Sequence, residues 1–412
     1  MTRSRLDELI RTDENRTVSD RQILEEIQLR RLNDLLARES RRNGFYQLPS
    51  ELASLEELSS LPFTTADDLR NHCPQLFLGS LSEVEKVTTE RTSGTTGAAK
   101  RIYYTKEDLE HTVAFFAAGI GEMASAGETV MIRMPYSGPD SLADLIARGI
   151  RGCEAVPLQL RLGSLFEQCR QYREEKPACA IDQPVPLLAK ARYYEYLYGS
   201  GSFPLRAALL SADSCSAAVE KALKEEFGLV LFPHYGTREM CFGGAITCQA
   251  HQGMHLREHQ LIAEITDESG RPVPDGEWGE LVITTVDMKV LPLIRFRTGD
   301  RARFLKGPCP CGSVTKRLDR VRRIGKDAEI LELLENRFFG LRQVLDLMVR
   351  EESGKYDLEL LILPGGDEAE LKRKTDSLDT LPAVTACIRT ADRNSTLLYP
   401  GKRVILHPEG KR

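Results

Sequence analysis

The sequence predicts an α/β protein: a large N-terminal domain of mixed sheets and helices with a β subdomain, followed by a small C-terminal α+β domain. Three observations predict it. Between residues 128 and 224 short apolar runs alternate with helical stretches, the pattern of parallel strands covered by helices. From about 242 to 304 strands and turns take over. After Gly325 a short tail carries a helix and strand pattern of its own. The expected division is 1–322 and 323–412, with a β subdomain over about 242–318.

In chain order, residues 1–50 read as helix with charged faces. Apolar residues recur at spacings of three and four over 23–36, and Phe45 and Tyr46 anchor the end to the body. The runs 128–134, 153–157, 177–181 and 206–211 read as buried strands, with helices at 142–148 and 217–224 between them. Residues 258–265 fit an antiparallel strand, and 269–276 carry turn chemistry. In the tail, 332–350 reads as helix, 356–363 as strand, 367–377 as helix and 385–389 as a second strand. Cys153, Cys179 and Cys387 fall in apolar runs and read as small packed hydrophobes.

Composition narrows the function. At 412 residues the chain is long enough for more than one domain, and a net charge of -5 argues against a nucleic-acid binder. No apolar run approaches a membrane span, and the polar start has no signal-peptide core. Ten cysteines are scattered rather than arrayed as a disulfide framework, which points to a reducing cytoplasm.

The chemistry centres on one loop. Thr92, Ser93, Thr95 and Thr96 alternate with Gly94 and Gly97, and Lys100 closes the run. Glycine lets backbone N–H groups approach an anion, hydroxyls follow phosphate oxygens, and the lysine adds a point charge. By itself such a run is as often a plain surface loop. Its spacing is not that of the Walker phosphate loop.

Its company decides the reading. The run 92–100, then His234-Tyr235-Gly236-Thr237-Arg238-Glu239, then Arg295-Phe296-Arg297-Thr298-Gly299-Asp300 resemble, in that order, the three core motifs of adenylate-forming enzymes. Within that superfamily the chain is most similar to the phenylacetate–CoA ligase branch, with support from stretches 61–69, 103–109, 253–255 and 309–312. The likeness runs from about Arg21 to Gly325.

The resemblance implies the adenylate-forming fold, with residues 323–412 turning about a hinge near 322–326. It also implies ATP-dependent activation of a carboxylic acid, aromatic by default, to acyl-AMP, followed by transfer to CoA. The phosphates fall to Thr92, Ser93, Gly94, Thr95, Thr96, Gly97 and Lys100. Glu239 suits Mg²⁺, a hard cation that takes carboxylate and phosphate oxygens. Asp300 suits the ribose hydroxyls, because an ionised carboxylate only accepts. Ser211, Ala212, Asp213, His234, Tyr235, Gly236 and Thr237 fall around the adenine, Tyr235 offering a flat face, and Arg322 joins the nucleotide set. Tyr136, His234 and Gly236 wall the acyl pocket, and Asp182 with Gln183 at another strand end would suit a hydroxylated or amino-bearing acid.

A C-terminal lysine serves adenylation in the family. Lys402 matches that place, with Lys100 and Glu239 as the other catalytic candidates, and Lys411 is a rival. Cysteine thiolates and imidazole at tetrahedral distance are zinc ligands. Cys248, His255, Cys309 and Cys311 match a structural zinc site of the branch, with His251 and His259 as substitutes.

Three departures stand out. Arg238 replaces the family's hydroxyl residue, Asp213 replaces a longer glutamate, and the Gly-Val-Asn loop of the CoA channel is not recognisable at 330–336. An amine or carrier protein is therefore a second acceptor reading, and a catalytically silent nucleotide-binding protein a third. The resemblance leaves room for a homodimer and brings in no nucleic acid or membrane partner.

Overall fold

The computed structural model describes residues 4–42, 44–90, 99–378, 381, 383–399 and 401–408. Contacts group the chain into two compact units. The first is Met1–Met123 with Pro135–Glu154 and Pro233–Ile324; the second is Ala124–Met134 with Ala155–Phe232 and Gly325–Arg412.

The first unit opens with the helices Arg5–Glu14 and Arg21–Glu39, capped by the side chains of Ser4 and Asp20. Tyr46 anchors the chain beyond them, its hydroxyl lying 2.6 Å from Thr64 Oγ1 and accepting from Ile294 N–H at 3.2 Å. A hairpin pairs Lys86–Glu90 with Lys100–Tyr104, antiparallel. Helix Lys106–Met123 then crosses helix Leu142–Gly152 closely. A Cβ placed on Gly149 would come within 2.8 Å of Phe116 Cβ and 3.1 Å of the Ala117 backbone nitrogen, so the crossing depends on glycine.

The expected antiparallel subdomain is present. Leu261–Thr266 pairs with Gly279–Thr285, and Gly279–Thr285 with Phe296–Ala302. Val230–Tyr235 ends in this unit, where His234 and Tyr235 pair with Ala245–Thr247, itself paired with Met254–Leu256. Arg317–Leu318 pairs in turn with Met254–Leu256.

The second unit holds the parallel sheet. Thr129–Ile132 lies between Val156–Gln159 and Cys179–Asp182, and Ala207–Leu210 extends the sheet beyond Cys179–Asp182. Helices Leu165–Glu175, Pro184–Tyr198 and Ala217–Phe227 alternate with these strands, as the apolar runs predict. The strand expected at 153–157 begins later, at Val156, because Cys153 caps the preceding helix.

Beyond Gly325, helix Lys326–Phe338 leads into the strands Val344–Glu352 and Lys355–Ile362, which are antiparallel. Val384–Thr390 joins Lys355–Ile362 in parallel after the helix Glu368–Asp376. The helix expected over 332–350 is thus a helix and then a strand. Val344, Leu345, Leu347 and Val349 are all fully buried, so this apolar run is an interior strand of the kind periodicity alone does not separate from helix. Cys179 is buried as expected, whereas Cys153 is only partly buried and Cys387 is exposed, the latter on the open face of Val384–Thr390. No helix among the described residues is long and apolar enough to cross a membrane.

Residues 325–412 share one hydrophobic core with residues 155–232: Leu187, Leu188 and Leu223 pack in the same cluster as Phe338, Val344 and Leu347. Arg192 clamps this core. Its fully buried guanidinium donates to both oxygens of Glu226, at 3.0 and 2.5 Å. It also donates to the carbonyls of Phe339, Leu341 and Val344, at 2.8, 2.9 and 2.7 Å. Every N–H of the side chain is used. We expect Arg192→Ala to cost about 3–5 kcal/mol, the usual penalty for breaking a buried ion pair. Urea denaturation of the full chain measures it; a loss under about 1 kcal/mol, an exposed pair's value, would contradict the clamp.

Candidate active site

In the first unit, residues from the separate sequence motifs meet. Strand Lys100–Tyr104 presents Lys100, whose ammonium lies 2.5 Å from Glu239 Oε1 with both side chains largely buried. Glu239 sits in the turn Arg238–Met240 that comes after the strand Val230–Tyr235. That turn is fixed from below. The fully buried Tyr104 donates its hydroxyl to the Arg238 carbonyl at 2.8 Å, and Thr237 O accepts from Phe242 N–H at 2.8 Å.

Gly236 leaves no space for a side chain, since a Cβ there would lie 1.9 Å from the Phe242 carbonyl oxygen. Tyr235 donates its hydroxyl to Asp300 Oδ2 at 2.8 Å. Burial, then the neighbouring Asp300 carboxylate, push the phenol well above its ordinary range, so it stays a donor. Asp300 lies on Phe296–Ala302, which pairs with Arg322–Arg323, and the Arg322 guanidinium sits 5.4 Å from the centre of the Trp278 ring. Lys100, Tyr235, Gly236, Thr237, Glu239, Asp300 and Arg322 are therefore all held by the first unit.

His234 is not a solvent-facing base. It packs against Phe115 and Phe116, ring centres 5.8 and 5.4 Å away. Burial, then the charge of Arg257, lower its pKa to about 3, while a bond to the Phe242 carbonyl opposes them. Tyr136, expected beside it, is 61% exposed.

The second unit brings together another pair of expected residues. Asp213 Oδ2 accepts from the Arg403 backbone N–H at 3.1 Å, so Asp213 lies next to the segment that carries Lys402. The charges of Arg403 and Lys402 partly offset the burial that raises the Asp213 carboxyl. Arg403 holds this segment. Its buried guanidinium donates to Glu335 at 2.8 Å, Asp346 at 2.6 Å and the Leu347 carbonyl at 2.6 Å. Ala212 has φ +66°, a left-handed conformation that a non-glycine residue holds at a cost. Ser211 N–H donates to the Asp182 carbonyl at 3.0 Å.

Asp182 corrects an expectation. Its carboxylate is fully buried and lies 2.8 Å from the Lys190 ammonium, so it serves the interior and offers no polar wall to an acid. Burial lowers the Lys190 pKa to about 8 against the pull of Asp182. Thr92, Ser93, Gly94, Thr95, Thr96, Gly97 and Lys411 lie outside the described residues.

A second cluster in the first unit could hold a metal. The ligand atoms of Cys248, His255, Cys309 and Cys311 all lie within 4.8 Å of one another, and all four residues are buried. Cys248 Sγ is 3.7 Å from Cys309 Sγ, and Cys311 Sγ is 3.4 Å from His255 Nε2. A tetrahedron with zinc–sulfur bonds of about 2.3 Å has sulfur–sulfur edges near 3.8 Å, so the donor set fits zinc. The two substitutes lie elsewhere: His251 is exposed, and His259 is bonded to Asp13 at 2.9 Å.

Tyr104 and Arg403 carry much of this geometry. Tyr104 falls in the supporting stretch 103–109 with no role attached to it, and Arg403 has no pattern to mark it, since Lys402 and Arg403 are both basic and Val404 and Ile405 both apolar.

A family model described as AMP-binding enzyme matches residues 91–288. The phenylacetate-coenzyme A ligase of Thermus thermophilus is 28% identical over 372 residues, 85% of this chain and 81% of that protein. The phenylacetate-coenzyme A ligase of Pseudomonas putida is 28% identical over 281 residues, and the match spans 66% of this chain and 63% of that relative. Among solved structures, 2-hydroxyisobutyryl-CoA ligase in the postadenylation state superposes with a TM-score of 0.71 at 17% identity. That superposition covers 90% of this chain and 86% of the other.

His234, packed against Phe115 and Phe116, makes stability depend on pH. With a folded pKa of about 3 against an ordinary 6.5, the unfolded chain takes a proton that the folded chain refuses as pH falls from 6.5 towards 3. Stability is lost across that window. Denaturant midpoints of His234→Asn should fall less between pH 6.5 and 4 than those of the parent, and identical slopes would contradict the buried neutral ring.

Proposed function

We infer that this chain, which belongs to the adenylate-forming superfamily and is phenylacetate–CoA ligase-like, is an AMP-forming acid–CoA ligase. It activates a carboxylic acid with ATP to acyl-AMP and pyrophosphate, then passes the acyl group to CoA. One observation carries this reading: Lys100, Glu239, Tyr235 and Asp300, drawn from three separated motifs, are held together by direct bonds in one unit.

The chemistry follows from charge. A carboxylate oxygen must attack the α-phosphorus of a polyanion, so the site must neutralise phosphate charge and hold the two reactants in line. Lys100 and the loop 92–97 would take phosphate oxygens. Glu239 would hold Mg²⁺, which supplies charge neutralisation to the phosphates when bound. Asp300, its carboxylate oriented by the Tyr235 hydroxyl, would accept from a ribose hydroxyl. In the first unit Tyr235 would face the adenine and Arg322 would join the nucleotide set; in the second, Ser211, Ala212 and Asp213 are the residues proposed for the adenine.

His234, Gly236 and Tyr136 would wall the acyl pocket, and an aromatic acid is the substrate class that the resemblance favours. In the second step the thiol sulfur attacks the acyl carbon and AMP leaves. Residues 330–336 lie within the helix Lys326–Phe338 rather than in a loop, so the CoA acceptor needs its own test.

Further parts of the proposal are a structural zinc on Cys248, His255, Cys309 and Cys311, and a cytoplasmic setting that keeps the cysteines reduced. A turn of residues 323–412 near 322–326 between the two steps is also part of it. That turn requires the core shared with residues 155–232 to open, which makes it the most demanding element.

The test is pyrophosphate exchange over a panel of acids, with thioester formation read separately by adding CoA. An aromatic acid should support exchange without CoA and thioester only with it. Lys402→Ala should slow acyl-AMP formation about 100-fold or more while transfer from supplied acyl-AMP persists. No exchange with any acid would reject the adenylation reading. Exchange without thioester would move the acceptor to an amine or carrier protein. Full adenylation by Lys402→Ala would remove Lys402 from the mechanism.

A further inference from the structure

We propose that Asp7, Ser313 and Thr315 form a hydrogen-bond relay that fixes His255 as a metal ligand and ties the N-terminal helix to the loaded metal site. The proposal rests on the metal reading of Cys248, His255, Cys309 and Cys311.

The relay has one self-consistent direction. Asp7 is a carboxylate and only accepts, so Ser313 Oγ–H donates to Asp7 Oδ1, at 2.6 Å. With its proton spent there, Ser313 Oγ is left to accept, from Thr315 Oγ1–H across 3.0 Å and from Thr315 N–H at 3.3 Å. Thr315 Oγ1, its own proton spent, must accept from His255 Nδ1–H, at 2.7 Å. The imidazole proton is thereby placed on Nδ1. The lone pair of Nε2 is left facing the thiol of Cys311, 3.4 Å away, which is the atom and the direction a metal needs. Such outer partners hold the tautomer and ring angle of a ligand histidine.

Backbone donors support the sulfurs as well: Ser313 N–H, from the relay loop, donates to Cys311 Sγ at 3.5 Å, and Ala250 N–H, next to the other arm of the cluster, donates to Cys248 Sγ at 3.4 Å. Between the two relay hydroxyls, Val314 packs against the apolar cluster of Ile10, Val18, Leu24 and Ile27. The helix Arg5–Glu14 is thus joined to the loop twice, through the carboxylate of Asp7 and through the cluster around Ile10. Its start is also tied back by the Arg5 N–H bond to Glu122 Oε1, at 2.8 Å. If the metal is removed, His255 loses the partner that demands the Nδ1–H tautomer. The relay can then reverse or break, and the start of the helix is left with its apolar contact and the Glu122 tie, while its end stays held by Asp13 against His259 and by Glu14 against Arg31.

Two readouts other than activity test this on the full chain, loaded with zinc alone. The first is the rate of zinc release to a chromophoric chelator. Thr315→Val should release zinc at least about 10-fold faster than the parent, Asp7→Asn should be accelerated less, and Thr315→Ser, which keeps the hydroxyl, should match the parent. The second is hydrogen exchange of the amides of Arg5–Glu14, which should speed up when the metal is stripped and recover when zinc is returned. Equal release rates for Thr315→Val and the parent, or unchanged exchange on stripping, would overturn the relay while leaving the metal site standing. A parent chain that neither carries nor takes up zinc would overturn the metal reading and the relay with it.

Discussion

The bond between Lys100 and Glu239 is the constraint on which the candidate site depends. Two opposite charges are withdrawn from water at 2.5 Å, with exposures of 13% and 7%. Desolvating a single ion costs several kcal/mol, and the pairing of opposite charges offsets that cost. The pair therefore commits the hairpin strand Lys100–Tyr104 to lie against the turn Arg238–Met240, and Tyr104 reinforces the same contact through the Arg238 carbonyl. The candidate site is thus assembled from charges already matched within the protein. On the proposed reading, a nucleotide exchanges one set of charge partners for another and does not have to create order.

The second unit solves a related problem differently. Arg192, Lys190 and Arg403 are all deeply buried, and each is met by acceptors: Glu226 and three carbonyls, Asp182 with the Pro186 carbonyl, and Glu335 with Asp346. Buried charges of this kind add little net stability beside an apolar alternative, but they penalise any packing that leaves them unmet. Arg403 makes the position of its neighbour Lys402 definite, and it does so beside Asp213. The flexible stem of Lys402 therefore starts from a fixed backbone, as the role proposed for it requires.

Much of this is legible in the sequence for physical reasons. Glycine beside threonine and carboxylate at fixed spacing survives as a motif because backbone approach and charge placement tolerate few substitutes. The parallel strands are legible because burial on both faces leaves continuous apolar runs. Context is what a linear pattern lacks. The stretch 344–349 is as apolar as a buried helix and reads as one, whereas its partner Lys355–Ile362 makes it a strand. Asp182 has the look of a functional carboxylate at a strand end, because the lysine that neutralises it lies eight positions on, within the next helix. Asp7 and Ser313 are 306 positions apart, and no local pattern announces a bond between them.

In the proposed reaction a carboxylate oxygen of the substrate attacks the α-phosphorus of ATP, and oxygen labelling tests that step most directly. The acid is supplied with both carboxylate oxygens as ¹⁸O, together with ATP and CoA, and the nucleotide product is weighed by mass spectrometry. Attack forms a carbon–oxygen–phosphorus bridge, and the thiol later breaks its carbon–oxygen bond, so one labelled oxygen leaves with the phosphate. The expected product is AMP carrying one ¹⁸O per thioester formed. Unlabelled AMP, or ADP in its place, would contradict the claim.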